Sequence, residues 1–123
     1  MDENISELTL NDGTVVKIDA KLNLKKLMMI DKDFDTSEFA KLTMGKRSAE
    51  ISVMQAAKAV YVAYRQANMS DYINFYEFID RWDIDMEFGS LIYSLMMFKS
   101  ARDAYQKEFE RQAKLITVKN GKK

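Results

Sequence analysis

Ala49-Glu50-Ile51-Ser52-Val53-Met54-Gln55-Ala56-Ala57-Lys58-Ala59-Val60-Tyr61-Val62-Ala63-Tyr64-Arg65-Gln66-Ala67 is the stretch on which the fold turns. Apolar residues recur at Val53, Ala56, Ala57, Val60, Tyr64 and Ala67, the three- and four-residue spacing of one helical face, and Met54 and Tyr61 widen it. Gln55, Lys58, Arg65 and Gln66 fall opposite. A stripe this wide predicts a central core helix from about Ala49 to Ala67, entered from Gly45 and capped by Ser48.

On the N-terminal side, helix starts are written in cap chemistry. Leu22-Asn23 precedes Leu24 to Ile30, with Leu22 and Leu27 spaced as a hydrophobic staple around an Asn cap. Phe34-Asp35-Thr36-Ser37-Glu38-Phe39 offers Asp35 as cap, Glu38 as the returning acid and Phe34 with Phe39 as staple. Ile73-Asn74-Phe75-Tyr76-Glu77-Phe78 repeats the arrangement for a short helix from Phe75 to Arg81. Farther out, Leu8-Thr9-Leu10, Asn11-Asp12-Gly13 and Thr14 to Ile18 spell a β-hairpin. A two-residue Asp12-Gly13 turn would put Lys17 beside Leu8 and Leu10. A three-residue loop with Gly13 in the left-handed bulge position instead aligns Leu8, Leu10, Val16 and Ile18, and is preferred. A lone hairpin is marginal in water, so that face must lie on helices or on another chain.

On the C-terminal side a long helix is expected from about Met86 to Lys114. Up to Phe98 it is apolar nearly all round, through Phe88, Leu91, Ile92, Leu95, Met96 and Met97, and is expected to be buried. From Lys99 a narrow stripe of Ala101, Tyr105, Phe109 and Ile116 runs among charges, too thin for a buried face and suited to self-association. The predicted class is mainly α with a small N-terminal β-hairpin (α+β): one domain over 1–117, with the hairpin at 5–18, helices across 22–114 and a flexible tail at 118–123.

Composition bounds the function. The 123 residues are 47% hydrophobic and 31% charged, enough apolar content for one packed core without disulfides or metal. Nineteen basic residues balance nineteen acidic ones, and the bases are scattered among acids, which disfavours nucleic acid and eases self-association. No stretch offers the ~18 apolar residues of a membrane span, and Met1 to Glu7 does not resemble a signal peptide; a cytoplasmic protein is expected. With neither His nor Cys, the usual general base, thiol nucleophile and soft metal ligands are missing. No phosphate-cradling glycine loop or nucleophile elbow appears, so the chain is expected to be no enzyme and to need no cofactor.

Two acidic clusters invite a cation. Asp31, Asp33 and Asp35 have the spacing that opens a calcium loop, but Thr36 and Leu42 stand where the loop requires Gly and a bidentate Glu. Asp80, Asp83, Asp85 and Glu87 fall at a helix junction, where acids cap and favour the next N-terminus. Both are read as structural, with no metal site. Nine methionines, including the pairs Met28-Met29 and Met96-Met97, supply adaptable apolar surface as well as core filler. Tyr72, Phe75 and Tyr76 cannot all face inward from one short helix start. Exposed members of Tyr72, Phe75, Tyr76, Met96 and Met97 are therefore the candidate partner-binding residues.

The order of hairpin, small helices, the alanine-rich Ala59-Val60-Tyr61-Val62-Ala63-Tyr64, and Asn74-Phe75-Tyr76-Glu77-Phe78-Ile79-Asp80 leading into Asp83-Ile84-Asp85-Met86 resembles the tail assembly chaperones of long, non-contractile-tailed phages, particularly those of Gram-positive hosts and their prophages. The similarity spans roughly Leu8 to Met97. The resemblance implies a protein of the host bacterial cytoplasm, not in the mature virion, that coats the tape-measure protein and delivers it to tail-tube subunits, and that forms homo-oligomers. Such chaperones are often made in two lengths through a ribosomal frameshift, and Gly121-Lys122-Lys123 is compatible with a slippery site. The rival reading is a small helical adaptor or inhibitor that grips a single host protein; a magnesium-dependent site at Asp80, Asp83 and Asp85 is a weaker third.

Overall fold

The computed structural model describes residues 6–44 and 51–98. They form a two-stranded antiparallel hairpin followed by five helices, the mainly α arrangement with a small hairpin that the sequence predicts. Strands β1 (Glu7–Thr9) and β2 (Val15–Lys17) pair with Leu8 opposite Val16. Gly13, at φ 90°, donates its N–H to Leu10 O at 2.9 Å while Leu10 donates to Thr14 O at 2.8 Å. This is the three-residue loop with a left-handed glycine, and it sends Leu8, Leu10 and Ile18 into the core with Val16 packed at its edge.

The hairpin lies on helices of its own chain. Asp19 donates its N–H to Ala63 O, and Asn11 donates its N–H to Arg81 O and its side-chain amide to Asp80 O, at 2.7–2.9 Å. An Arg81–Asp12 pair at 3.1 Å closes the same contact.

Each helix start has a local cause. Helix α1 (Leu24–Ile30) is capped by Asn23 Oδ1, which accepts from the Lys26 N–H. Helix α4 (Phe75–Arg81) is capped in the same way by Asn74, which accepts from Glu77. Helix α2 (Ser37–Thr43) departs from expectation by one residue: Thr36, not Asp35, is the cap. Thr36 is buried, its hydroxyl donating to Leu27 O and its N–H to Asp31, while Asp35 accepts from Ser37 as an Asx turn. Glu38 does not return to the cap; it accepts from Gln55 and the Tyr93 hydroxyl. Phe34 likewise turns away from a staple and packs on Tyr61 and Phe75, with ring centroids 4.9 and 5.1 Å apart.

Helix α3 (Val53–Ala67) is the central helix, but it starts later than Ala49. Ile51 and Ser52 are not helical, because Ser52 and Gln55 form a reciprocal capping box that fixes the first turn at Val53. Gly45 and Ser48 lie outside the described residues. From Ala59 to Gln66 every side chain of α3 is buried, including Arg65 and Gln66, which the periodicity places on a polar outer face. Gln66 is covered by the 19–23 crossing whose backbone it bonds, and Arg65 by its pairing with the Asp33 carboxylate and the Tyr61 hydroxyl.

The last described helix, α5 (residues 86–98), is capped by Asp85, which accepts from the Phe88 N–H. It crosses α3 at Gly89, where an added Cβ would sit 2.8 Å from Ala56 Cβ. Ile92, Tyr93 and Met96 face inward; Met86, Leu91 and Phe98 are exposed, so this helix is half buried and not buried all round. The expected continuation to Lys114 and the tail at 118–123 lie outside the described residues. An aromatic ladder of Phe34, Phe75, Tyr61, Tyr64, Phe78, Trp82 and Phe88 links α1–α2, α3, α4 and α5 at centroid spacings of 4.9–6.4 Å.

Candidate partner-binding surface

Of the five candidate residues, Tyr76 is 83% exposed on the first turn of α4, touching the protein through the edge of Phe75. Tyr72 is 39% exposed, yet one face of its ring covers the Arg65 guanidinium at 3.5 Å. Phe75 is partly buried between Phe34 and Tyr61. Met97 is packed against the core, and Met96 is fully buried within it, so Met96 has no surface to offer a partner. The structure therefore leaves Tyr76 and the outer face of Tyr72 open and assigns the other three largely to packing. The stripe Ala101, Tyr105, Phe109 and Ile116 lies outside the described residues.

The open apolar side chains are mostly ones that sequence pattern did not single out. Met28, Met44 and Met54 are 66%, 71% and 57% exposed, and Leu24, Met29, Val53, Ile84 and Leu91 are exposed as well. On α1 the cause is simple: a seven-residue helix turns Leu27 and Ile30 inward, which leaves Leu24 and Met28, four residues apart, together on the outer side. At the start of α3 the inward face begins at Ala56 and Ala57, so Val53 and Met54 stand above the core. The signal that could have found Met28 is the doubled Met28-Met29, since on a short helix that turns only Leu27 and Ile30 inward the two residues between them point outward.

The three acids of the first cluster all accept hydrogen bonds. Asp31 holds Thr36, Asp33 accepts both Arg65 Nη1 and Nη2 at 2.9 Å, and Asp35 accepts from Ser37. Hydrogen bonding from Arg65 holds the Asp33 carboxyl below its usual range against an opposing effect of burial. Bonds from Thr14 and Ser37 do the same for Asp12 and Asp35. For Arg65, burial works against the charge, but the bond to Asp33 and that from Arg65 to the Tyr61 hydroxyl prevail and raise its pKa. Burial raises the Tyr61 hydroxyl, more than the nearby guanidinium lowers it. At the second cluster Asp85 caps α5 and Asp83 faces the Asn11 amide at 3.5 Å. Among the described residues no three acidic side chains converge to hold a cation.

The described residues present exposed thioethers and the open faces of Tyr72 and Tyr76 around a tightly bonded centre. No described helix is long and apolar enough to cross a membrane. Comparison of the chain with protein-family models, curated proteins and solved structures finds no match.

Proposed function

We propose that this chain is a phage tail assembly chaperone, a protein of the host bacterial cytoplasm that is left out of the mature virion. In this reading it binds the long helical tape-measure protein and hands it to tail-tube subunits. The resemblance over Leu8 to Met97 motivates the choice of client. The observation that carries the reading is the set of exposed, flexible methionines, Met28, Met44 and Met54, on a domain whose centre is rigidly bonded. Unbranched thioethers adapt to irregular apolar surfaces at small energetic penalty, which suits many weak contacts along a repetitive helical client better than one tight contact. Self-association belongs to the same proposal: Leu91 is exposed on α5, and residues 98, 101, 105 and 109 follow at helical spacing along the sequence.

Co-expression with the longest tail gene product of the same genome tests the reading. Its soluble yield is expected to rise with the chain present and to fall back when Met28, Met44 and Met54 are all changed to Ser. Equal solubility with and without the chain would remove the chaperone function. Capture of a single host protein at 1:1 stoichiometry would establish the small helical adaptor or inhibitor in its place.

A further inference from the structure

Between Asn68 and Asn74 the chain crosses from α3 to α4 without a single buried residue. Side-chain anchors reach up from α3 to hold it. The Ile73 peptide is gripped on both sides: its N–H donates to the Tyr64 hydroxyl at 2.9 Å, and its C=O accepts from the Tyr61 hydroxyl at 2.8 Å. One residue earlier, the Tyr72 ring lies flat over the Arg65 guanidinium at 3.5 Å. That guanidinium is in turn held in plane by the two bonds to Asp33, across the chain in the α1–α2 turn. The closed state is also imperfect, since Arg65 Nε is buried with no hydrogen-bond partner and would regain one from water if the ring lifted.

We propose that residues 69–73 form a strap that opens as a unit while Asn68, Asn74 and the rest of the fold stay in place, with the Tyr72–Arg65–Asp33 stack as its latch. Local opening is governed by how much apolar surface and how many bonds a segment must give up. This strap gives up two tyrosine hydrogen bonds, one cation–π contact and the half-buried Ile73 side chain. The hairpin and the other helices are fixed by core residues that the strap does not carry. Opening bares the Arg65 guanidinium and the Tyr61 and Tyr64 hydroxyls, leaving a cation beside the aromatic cluster. The strap and its latch are set by this chain alone, whatever client it meets.

Amide exchange in the full chain tests it, with the Ile73 N–H as reporter of the strap and the Val62 and Ala63 N–H groups as reporters of global unfolding. Ile92→Val removes one methylene from α5, which meets α3 near Ala56 at the opposite end from the strap. It should speed Val62 and Ala63 exchange by roughly three- to tenfold and leave Ile73 unchanged. Low urea should likewise accelerate Val62 and not Ile73. Tyr72→Ala should speed Ile73 exchange by roughly tenfold. If Ile73 follows Val62 in Ile92→Val and in urea, the strap does not open by itself and the proposal fails. An Ile73 rate unmoved by Tyr72→Ala would remove the latch.

Discussion

The two ends of α3 are built on different principles. At the C-terminal end, Arg65, Gln66 and Asn68 act as polar clamps: Gln66 alone donates to Asp19 O and Lys21 O and accepts from the Asn23 N–H, all within 3.0 Å. Asn68 donates to Lys17 O and Tyr64 O, and Arg65 binds Asp33. At the N-terminal end α5 packs close and apolar, with Ala56 against Gly89, beside one polar link from Gln55 to Glu38, and beyond them Val53 and Met54 are left in solvent. One end organises loops by hydrogen bonding; the other packs a helix by having no side chain in the way. The difference locates specificity at the clamped end and spare apolar surface at the other.

Gln66→Leu should strike the clamped end hardest. The substitution fits the volume but leaves one N–H and two carbonyls in the part-buried 19–23 crossing without their partner. Unmade buried bonds cost roughly 1–3 kcal/mol each, partly relieved by water at the rim, so a loss of about 3 kcal/mol is expected in urea unfolding. A loss below about 1 kcal/mol would mean that the clamp is ornamental.

How much of this was legible in the sequence follows from the same division. Periodicity and caps are local, and they place the hairpin register, Asn23, Asn74 and the central helix correctly, because the signal and the structure span the same few residues. The start of α3 was also written locally, as Ser52-Val53-Met54-Gln55, but it lay inside an apolar run that extended the helix to Ala49 on pattern alone. Burial of Arg65 and Gln66 was not legible. Gln66 is held by backbone forty-odd residues away, and Arg65 by the Asp33 carboxylate 32 residues away and the Tyr72 ring; a period of 3.6 carries no information about which loop will cross which helix end. The candidate surface failed in the complementary way: Met96 and Met28 are chemically identical, and only the depth of α5 against the shortness of α1 separates core from surface.

A second prediction works on the apolar end. Gly89→Ala would normally strengthen a helix by about 1 kcal/mol. Here the new Cβ meets Ala56 Cβ at 2.8 Å and the Ala56 carbonyl oxygen at 3.2 Å, so helix backbone must move. Overpacking of this kind costs roughly 1–3 kcal/mol, and a net loss of about 1–2 kcal/mol is expected by thermal or urea unfolding. A stabilised variant would show that the helices are not held at this distance.

Acid titration tests the clamped end more gently. Arg65 depresses the folded pKa of Asp33, so its stabilisation is present above the unfolded carboxylate range and lost as pH falls through the folded value. Asp33 is half exposed and solvent screens the pair, so Asp33→Asn should cost only about 1 kcal/mol at pH 7. The gap between variant and parent should narrow as pH falls from about 5 to about 2. A gap that is constant with pH would assign the effect to shape, not charge.

The smallest expected effect on stability is the most informative about purpose. Met54 and Met28 lie where apolar side chains are left unused by the fold, so Met54→Ser and Met28→Ser should each change unfolding free energy by under about 0.5 kcal/mol. A fold that retains exposed thioethers it does not need leaves them open to oxidation and to non-specific association, and both are liabilities unless the side chains meet a partner. The two substitutions together should therefore leave the urea midpoint in place while lowering the soluble yield of a co-expressed client. If instead they shift the midpoint as far as Gln66→Leu does, these methionines pack within the protein. The apolar end of α3 would then serve the fold as fully as the clamped end does, with no surface left over for a client.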